Sequence, residues 1–269
     1  MQADLGSIAP GKCADLTFIE DLKDFRVKRT VIDGCIVAED GRPLFNPGPF
    51  DWPDWMTRTM RLGEQIGQET FRVPAADSQA STALVRAIRL RGGDTIAYEE
   101  HVEVPVCDGA LQADPACDIL KAIVFERHHA SGTHAAGFVC GLGIHGAFAQ
   151  TVAHDAHNLL VVGDNDADME IAANALVECG GGAVAVVDGE IVAKVALGVC
   201  GLMSTGEVSE VASQVLRMQQ AWADMGCKMP SPFMTLGLLS LACIPELRLT
   251  NRGYVDCTQF KFVPLEVGE

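Results

Sequence analysis

Six of the seven histidines fall in one window: His128, His129, His134, His145, His154 and His157. Two compact polar groups stand out inside it. One is Glu126-Arg127-His128-His129. The other, His154-Asp155-Ala156-His157-Asn158, places two imidazoles, a carboxylate and a carboxamide within a few residues. Such a set can ligate a metal, shuttle protons or hold a polar heterocycle by its edges. The competing reading is that these groups satisfy one another and the backbone at an interface. Glu126 and Arg127 are adjacent in an extended segment and point to opposite faces, so they do not pair directly. A simple ion-paired strand end competes with any functional role there.

Other tempting features read as structural. Gly141-Leu142-Gly143 and Gly180-Gly181-Gly182 do not match a phosphate loop, and the second run follows a helix instead of opening one. Asp164, Asp166, Asp168 and Glu170 cluster at a helix start, where carboxylates suit the dipole, with no calcium-loop pattern behind them. The methionines are core filler. The ten cysteines are scattered without a C-x-x-C, as expected of reduced, buried thiols in a cytoplasmic protein.

Both polar groups sit beside apolar runs that position them. Residues 119–125 form a nearly continuous apolar run around Lys121, and 159–163 form another; both predict buried strands. Strands are also expected over 14–19, 25–32, 35–38, 84–90 and 95–106. Asp33-Gly34 supplies a two-residue turn, and Asp188-Gly189 joins a hairpin over 183–187 and 191–195. A helix capped by Asp164 or Asn165 runs to about Glu178 and stops at the glycines. A second starts near Ser204 with Glu207 completing a capping box. Its apolar face is Val208, Val211, Ala212, Val215, Leu216, Trp222 and Met225, and Gly226 ends it. A third covers Pro232 to Ala242. Proline density over 43–57 breaks regular structure, and roughly 43–80 is expected as a connector with at most one short helix, anchored by its aromatic residues.

The 269 residues carry 20 basic and 36 acidic side chains, a net charge of −16. That excludes a basic footprint for nucleic acid and argues against an anionic membrane surface. No apolar stretch is long enough for a membrane span, and no secretory signal pattern opens the chain. Cytoplasmic localisation is expected.

Three stretches resemble known proteins. Leu5-Gly6-Ser7-Ile8-Ala9-Pro10-Gly11-Lys12-Cys13-Ala14-Asp15-Leu16 is similar to the segment where amidohydrolase-superfamily chains leave their metal-bearing barrel for a small β-domain, with Cys13 where Asp or Glu is usual. Residues 151–163 resemble the A-H-D-S-H-N-I-x-V-V-G element of bacterial adenine deaminases, with Ala156 replacing Ser. Gly201-Leu202-Met203-Ser204, Pro232-Phe233-Met234-Thr235-Leu236 and Ile244-Pro245-Glu246-Leu247-Arg248-Leu249-Thr250 resemble the C-terminal domain of the same family.

The resemblance implies an α+β protein with no TIM barrel: a small β-domain segment over 1–45, a Pro/Trp-rich connector over 46–80, and an adenine deaminase C-terminal domain over 81–269. That domain is expected to hold strands, hairpins and about three helices. The implied function is the C-terminal part of an enzyme hydrolysing adenine to hypoxanthine and ammonia in purine salvage. This part is expected to complete the mouth of the active site and build a homo-oligomer. His154, Asp155 and His157 are then expected to be catalytic, and Asn158, Glu126 and His128 to bind substrate. Mn²⁺ or Fe²⁺ belongs to the complete enzyme, with ligands on the barrel and none on this chain, which has no H-x-H pair. The chain alone is expected to be inactive. A truncation, an internal start or a split gene with a separate barrel subunit remain alternatives. So do a non-catalytic purine-binding or regulatory module and a stand-alone metalloenzyme using His154, Asp155 and His157.

Overall fold

The computed structural model describes residues 4–46, 48 and 50–268. The chain divides into two units, Met1–Asp51 and Trp52–Glu269.

The first unit is an antiparallel meander of β1 (Leu16–Ile19), β2 (Val27–Ile32), β3 (Cys35–Glu39) and β4 (Arg42–Pro43). Asp33-Gly34 and Asp40-Gly41 make its turns, each residue in the left-handed region that the favoured hairpin turns require. Val31 alone is buried among the unit's described residues, while Phe18, Ile36 and Phe45 are exposed.

The second unit opens with α1 (Asp54–Thr57), a 3₁₀ turn (Gln68–Phe71) and β5 (Val73–Pro74). β6 (Thr82–Arg89), β7 (Tyr98–Cys107) and β8 (Ala110–Leu111) follow, then a 3₁₀ turn (Pro115–Cys117) and β9 (Ile119–Phe125). Next come β10 (His134–Cys140), β11 (Ala147–Gln150), β12 (Leu159–Gly163) and α2 (Asp166–Cys179). β13 (Gly182–Val187), β14 (Glu190–Ala196), α3 (Val208–Asp224) and α4 (Pro232–Gly237) lead to β15 (Leu247–Thr250), β16 (Gly253–Asp256) and β17 (Lys261–Val263). β5 to β14 form one sheet in the order β14-β13-β11-β12-β9-β10-β6-β7-β8-β5; β15, β16 and β17 form a second. Within the large sheet only β6 and β10 pair in parallel. The fold is mixed α and β, and no sheet among the described residues closes into a barrel.

Every residue of β9 is buried, as its near-continuous apolar run predicts. Alternate residues serve opposite faces. Ile123 and Phe125 join Leu159, Val161 and α2 residues Met169, Ala172 and Leu176 on one side. Leu120 and Val124 join Phe148, Leu160, Trp222, Leu236 and Leu249 on the other, under α3, α4 and the small sheet. Buried Lys121 is neutralised by Asp166, with Nζ 2.5 Å from Oδ1. Asn165 caps α2 by accepting from the Asp168 N–H, and Gly180, at φ 83°, ends it as expected.

Several expectations need correction. α3 begins at Val208, not near Ser204. The Ser204 hydroxyl instead accepts from the Gly206 N–H and closes a local turn, so no capping box forms. Val208, Val215 and Leu216 are exposed; the buried stripe of α3 is Met218, Ala221 and Trp222. α4 stops at Gly237 and the chain turns, where a helix to Ala242 was expected. The ten cysteines are free, but only Cys140, Cys227 and Cys257 are buried. Within the segment expected as a packed connector, Leu62, Ile66, Phe71 and Val73 are buried in the core, which is no correction of that expectation. No helix among the described residues is long and apolar enough to cross a membrane.

Candidate functional site: a histidine turn and its cleft

Phe125, the last residue of β9, pairs with Leu159, the first of β12. That register brings 126–129 beside 152–158, so one sheet edge joins the two polar groups that the sequence holds apart. Arg127 is 1% exposed and is the joint between them. Its Nε donates to the His157 carbonyl at 2.6 Å, Nη1 to the Thr59 carbonyl and hydroxyl at 3.2 and 3.1 Å, and Nη2 to the Cys200 carbonyl at 2.9 Å. No carboxylate pairs with it among the described residues. Burial pushes its pKa down to about 10, which still leaves it charged at neutral pH. Gly201 makes room for it: a Cβ there, at φ 70°, would lie 2.7 Å from Nη2.

The turn carrying the histidines is closed by its backbone. The His157 N–H donates to the Ala153 carbonyl at 2.7 Å, and the His154 N–H to the Gly237 carbonyl at 2.8 Å. α4 approaches closely there, since a Cβ on Gly237 would lie 2.9 Å from the Val152 carbonyl oxygen. His154 and His157 meet edge to face, ring centres 5.2 Å apart. His128 Nε2 donates to the Ala156 carbonyl at 2.7 Å. His157 Nδ1 is buried without a partner among the described residues. Burial, then the neighbouring His154 and the Arg127 charge, push the His157 pKa below the ordinary imidazole range, with Asp155 opposing. These surroundings favour the neutral form of the His157 imidazole.

The structure thus brings His128, His154, Asp155 and His157 around one turn, with Asp155 exposed. Asp155 bonds neither imidazole among the described residues. Glu126 is turned elsewhere. Its carboxylate accepts from the His128, His129 and Ser131 N–H groups and the Ser131 hydroxyl, folding its own loop. Burial raises its pKa, but those donors outweigh it and hold the carboxyl below the usual range.

Asn158 faces a different space. With Asp155 and Ala156 it lines a cleft of about 440 Å³, bounded also by 240–243, 250–252, Val255 and Phe262. A second buried arginine sets the 238–245 wall. Arg248 donates to the carbonyls of Leu238, Ile244, Pro245 and Thr95 at 2.6–3.0 Å. Among the described residues no group of three or more His, Cys, Asp or Glu side chains converges on a point where a metal would bind. The turn presents imidazole, carboxylate and carboxamide groups within a few residues of one another.

Residues 94–261 match the adenine deaminase C-terminal domain family. The chain belongs to that family. The match takes in Arg127, the histidine turn and most of the cleft lining. The chain is 50% identical over 270 residues to the adenine deaminase of Clostridium botulinum (strain ATCC 19397 / Type A), covering 100% of this chain and 45% of that protein. It is 45% identical to the Moorella thermoacetica adenine deaminase over 98% of this chain and 44% of that protein. The Rubrobacter xylanophilus adenine deaminase is 41% identical over 94% and 42%. The chain therefore spans less than half the length of these curated relatives.

Sequence reasoning places Arg127 next to Glu126 but gives it no part in the site, and it passes over Arg248, Ser240 and Asn251. One signal for Arg127 was present: a lone arginine continuing a buried strand must find acceptors away from its neighbours. Nothing comparable marks Ser240 or Asn251, which reach the cleft only through tertiary packing.

Proposed function

We propose that this chain is the C-terminal part of an adenine deaminase, an enzyme that hydrolyses adenine to hypoxanthine and ammonia in purine salvage. The observation that carries the reading is the full-length match of this chain to proteins named adenine deaminase. The histidine turn supports it chemically. Replacing the amine of adenine by oxygen requires protons to be moved at a ring nitrogen and at the departing amine. His157, whose surroundings favour its neutral form, His128 and His154 supply imidazoles, and Asp155 an exposed carboxylate. Asn158 contributes an amide edge for the base. Glu126, spent on its own loop, holds this region in shape.

The Mn²⁺ or Fe²⁺ of the complete enzyme belongs to residues other than these. Among the described residues no three His, Cys, Asp or Glu side chains converge on one point, and this reading gives the turn's residues proton-transfer and base-binding roles. Exposed apolar side chains on both units, such as Phe45, Trp55 and Leu216, support assembly with further protein, either a homo-oligomer or a barrel subunit. Exposed free thiols at Cys35, Cys107, Cys117 and Cys243 suit a reducing, cytoplasmic compartment.

The test is ammonia release from adenine by the chain joined to, or co-expressed with, the preceding half of a relative. Asp155→Asn and His157→Ala are each expected to slow release by about a hundredfold, the scale of one acid–base group, with folding intact. Near-normal turnover in both variants would refute a role for the turn.

A further inference from the structure

We propose that the outer edge of β14 is a docking site for an extended acidic segment of a partner protein, which adds to the large sheet as a further strand. None of the residues lining this edge belongs to the histidine turn or to the cleft beside it. β14 ends the ten-stranded sheet and pairs with β13 alone. Half of an edge strand's backbone donors and acceptors therefore face outward, where an added strand can pair with them. The β13–β14 register shifts between Ala185 and Val186, a bulge that confines the regular stretch to 193–196. α3 walls this edge on one side, with Ala193 and Val195 buried in the same core as Met218 and Ala221. A groove of about 310 Å³ runs here, bounded by 191–194 and Ala196 of the strand and by Gln214 and Arg217 of α3.

Charge selects the occupant. Lys194 and Arg217 are exposed, and neither makes an ion pair among the described residues. No carboxylate lines the groove. A chain with 20 basic and 36 acidic residues thus keeps two unpaired cations at one open strand edge. The net charge of −16 opposes an acidic partner only at a distance, and salt screens that repulsion beyond about 8 Å, so the local cations decide the contact. A second copy of β14 pairing antiparallel through the same stretch would set the two Lys194 side chains within two residues of each other, and like charges oppose it. Register fixes where the carboxylates stand. Lys194 pairs with Val184, which belongs to the core on the α2 side, so its side chain is on the sheet face opposite α3 and Arg217. Successive side chains of a strand point to opposite faces, and two consecutive carboxylates therefore reach both cations. Ile191 and Val192, 45% and 49% exposed, give apolar contact to a neighbouring aliphatic side chain. In such strand addition backbone bonds give affinity and side chains give choice.

The experiment is fluorescence anisotropy of a dye-labelled, capped peptide titrated with the 269-residue chain. The peptide has about eight residues, within the ordinary span of a strand, and is built of valine and threonine around two adjacent glutamates. Saturable binding is expected, with slowed amide exchange at 193–196, and lysines in place of the glutamates should abolish it. Two further peptides, methylated on alternate backbone nitrogens in opposite phases, keep the charges. The one that blocks the edge facing β14 should bind about tenfold more weakly than the other, the scale of one or two lost hydrogen bonds. Lys194→Glu and Arg217→Glu turn an exposed attraction into repulsion and should each weaken binding by about fivefold. Both side chains are exposed and unpaired, so these variants keep the wild-type thermal midpoint and report binding alone. No saturation up to about 1 mM, the range of weak association, equal binding of the two methylated peptides, or unchanged binding in both charge variants would each overturn the proposal. A wild-type dimer that excludes the peptide would assign the edge to a second copy and overturn it as well.

Discussion

Replacing Arg127 by methionine is the sharpest test of how the histidine turn is held. The guanidinium bonds three segments at once, through the carbonyls of His157, Thr59 and Cys200 and the Thr59 hydroxyl. Methionine fills much of the same volume and removes a buried charge, which returns some of the desolvation cost. The three carbonyls stay behind in a buried setting, at about 1–3 kcal/mol for each one left wholly unpaired. Partial relaxation and the regained desolvation leave a net loss of about 2–4 kcal/mol, a large part of the ~5–15 kcal/mol of a typical domain. Lysine has three donors on one centre and cannot span three segments, so Arg127→Lys is expected between wild type and Arg127→Met. Urea unfolding followed by far-UV circular dichroism measures both, with the slope checked for constancy. The His154 and His157 ring resonances should shift in both variants, because the His157 carbonyl loses its anchor. An Arg127→Met midpoint indistinguishable from wild type, with unshifted rings, would refute the joint role.

Three further outcomes are expected. Gly201→Ala costs about 1–2 kcal/mol for its left-handed backbone, plus the displacement of Arg127, whose Nη2 lies 2.7 Å from the new Cβ; urea midpoints of the single and double variants should show the two losses failing to add. His145 is held by Asp164 at 2.7 Å and Asp188 at 3.3 Å, and these bonds raise its pKa in the folded chain. Its stabilising contribution is complete below the unfolded value of about 6.5 and lost as pH rises through the folded one, so His145→Gln should destabilise at pH ~5.5 but not at pH ~9, and an equal deficit at both would refute it. Glu126 has a lowered pKa, so its contribution is present above the unfolded value of about 4.3 and lost as pH falls through the folded one. The Glu126→Gln deficit at pH 7 should therefore shrink towards pH ~3, and a pH-independent deficit would refute it.

Local signals were legible wherever one residue type dictates the backbone. Asp33-Gly34 and Asp188-Gly189 turn as read, Asn165 and Gly180 bound α2, and the apolar run of β9 is the buried strand. β10 and β11 carry weak strand signals, because β10 opens on the small residues Ala135-Ala136-Gly137 and β11 is only Ala147-Phe148-Ala149-Gln150. They become strands by pairing with β9, β12 and β13, which lie elsewhere in sequence. Gly137 is small for a reason visible only in three dimensions: the Tyr254 phenol from β16 lies 2.5 Å from where its Cβ would be, and it takes the Phe138 N–H at 2.6 Å. α3 misled in the opposite way. Its apolar residues keep helical spacing, but the half bearing Val208, Val215 and Leu216 faces away from the core. Periodicity identifies a helix without saying which of its residues find a partner. The site divides along the same line. The polar composition of 154–158 was readable, whereas its pairing with 126–129 depends on the Phe125–Leu159 register.

The same geometry makes the site substitutions informative about chemistry. The bonds that hold the turn run through backbone groups: the His157 N–H to Ala153, the His157 carbonyl from Arg127, the His154 N–H to Gly237, and the Ala156 carbonyl from His128. The His157 side chain adds no hydrogen bond to this set among the described residues, and the Asp155 side chain is exposed and accepts none. Asp155→Asn should thus leave the turn unchanged, and His157→Ala should lose only the ring contact with His154, about 0.5–1.5 kcal/mol. Exchanging His128 is a different perturbation, since it removes a bond to the turn itself. His128→Ala should widen the turn, whereas His128→Gln, which keeps a donor within reach of the Ala156 carbonyl, should restore part of its order. Amide exchange at residues 154–157 reads this directly. Faster exchange in His128→Ala, partial recovery in His128→Gln and wild-type exchange in Asp155→Asn are the expected order. Equal protection in all three would mean that the turn is held by its packing against α4 alone.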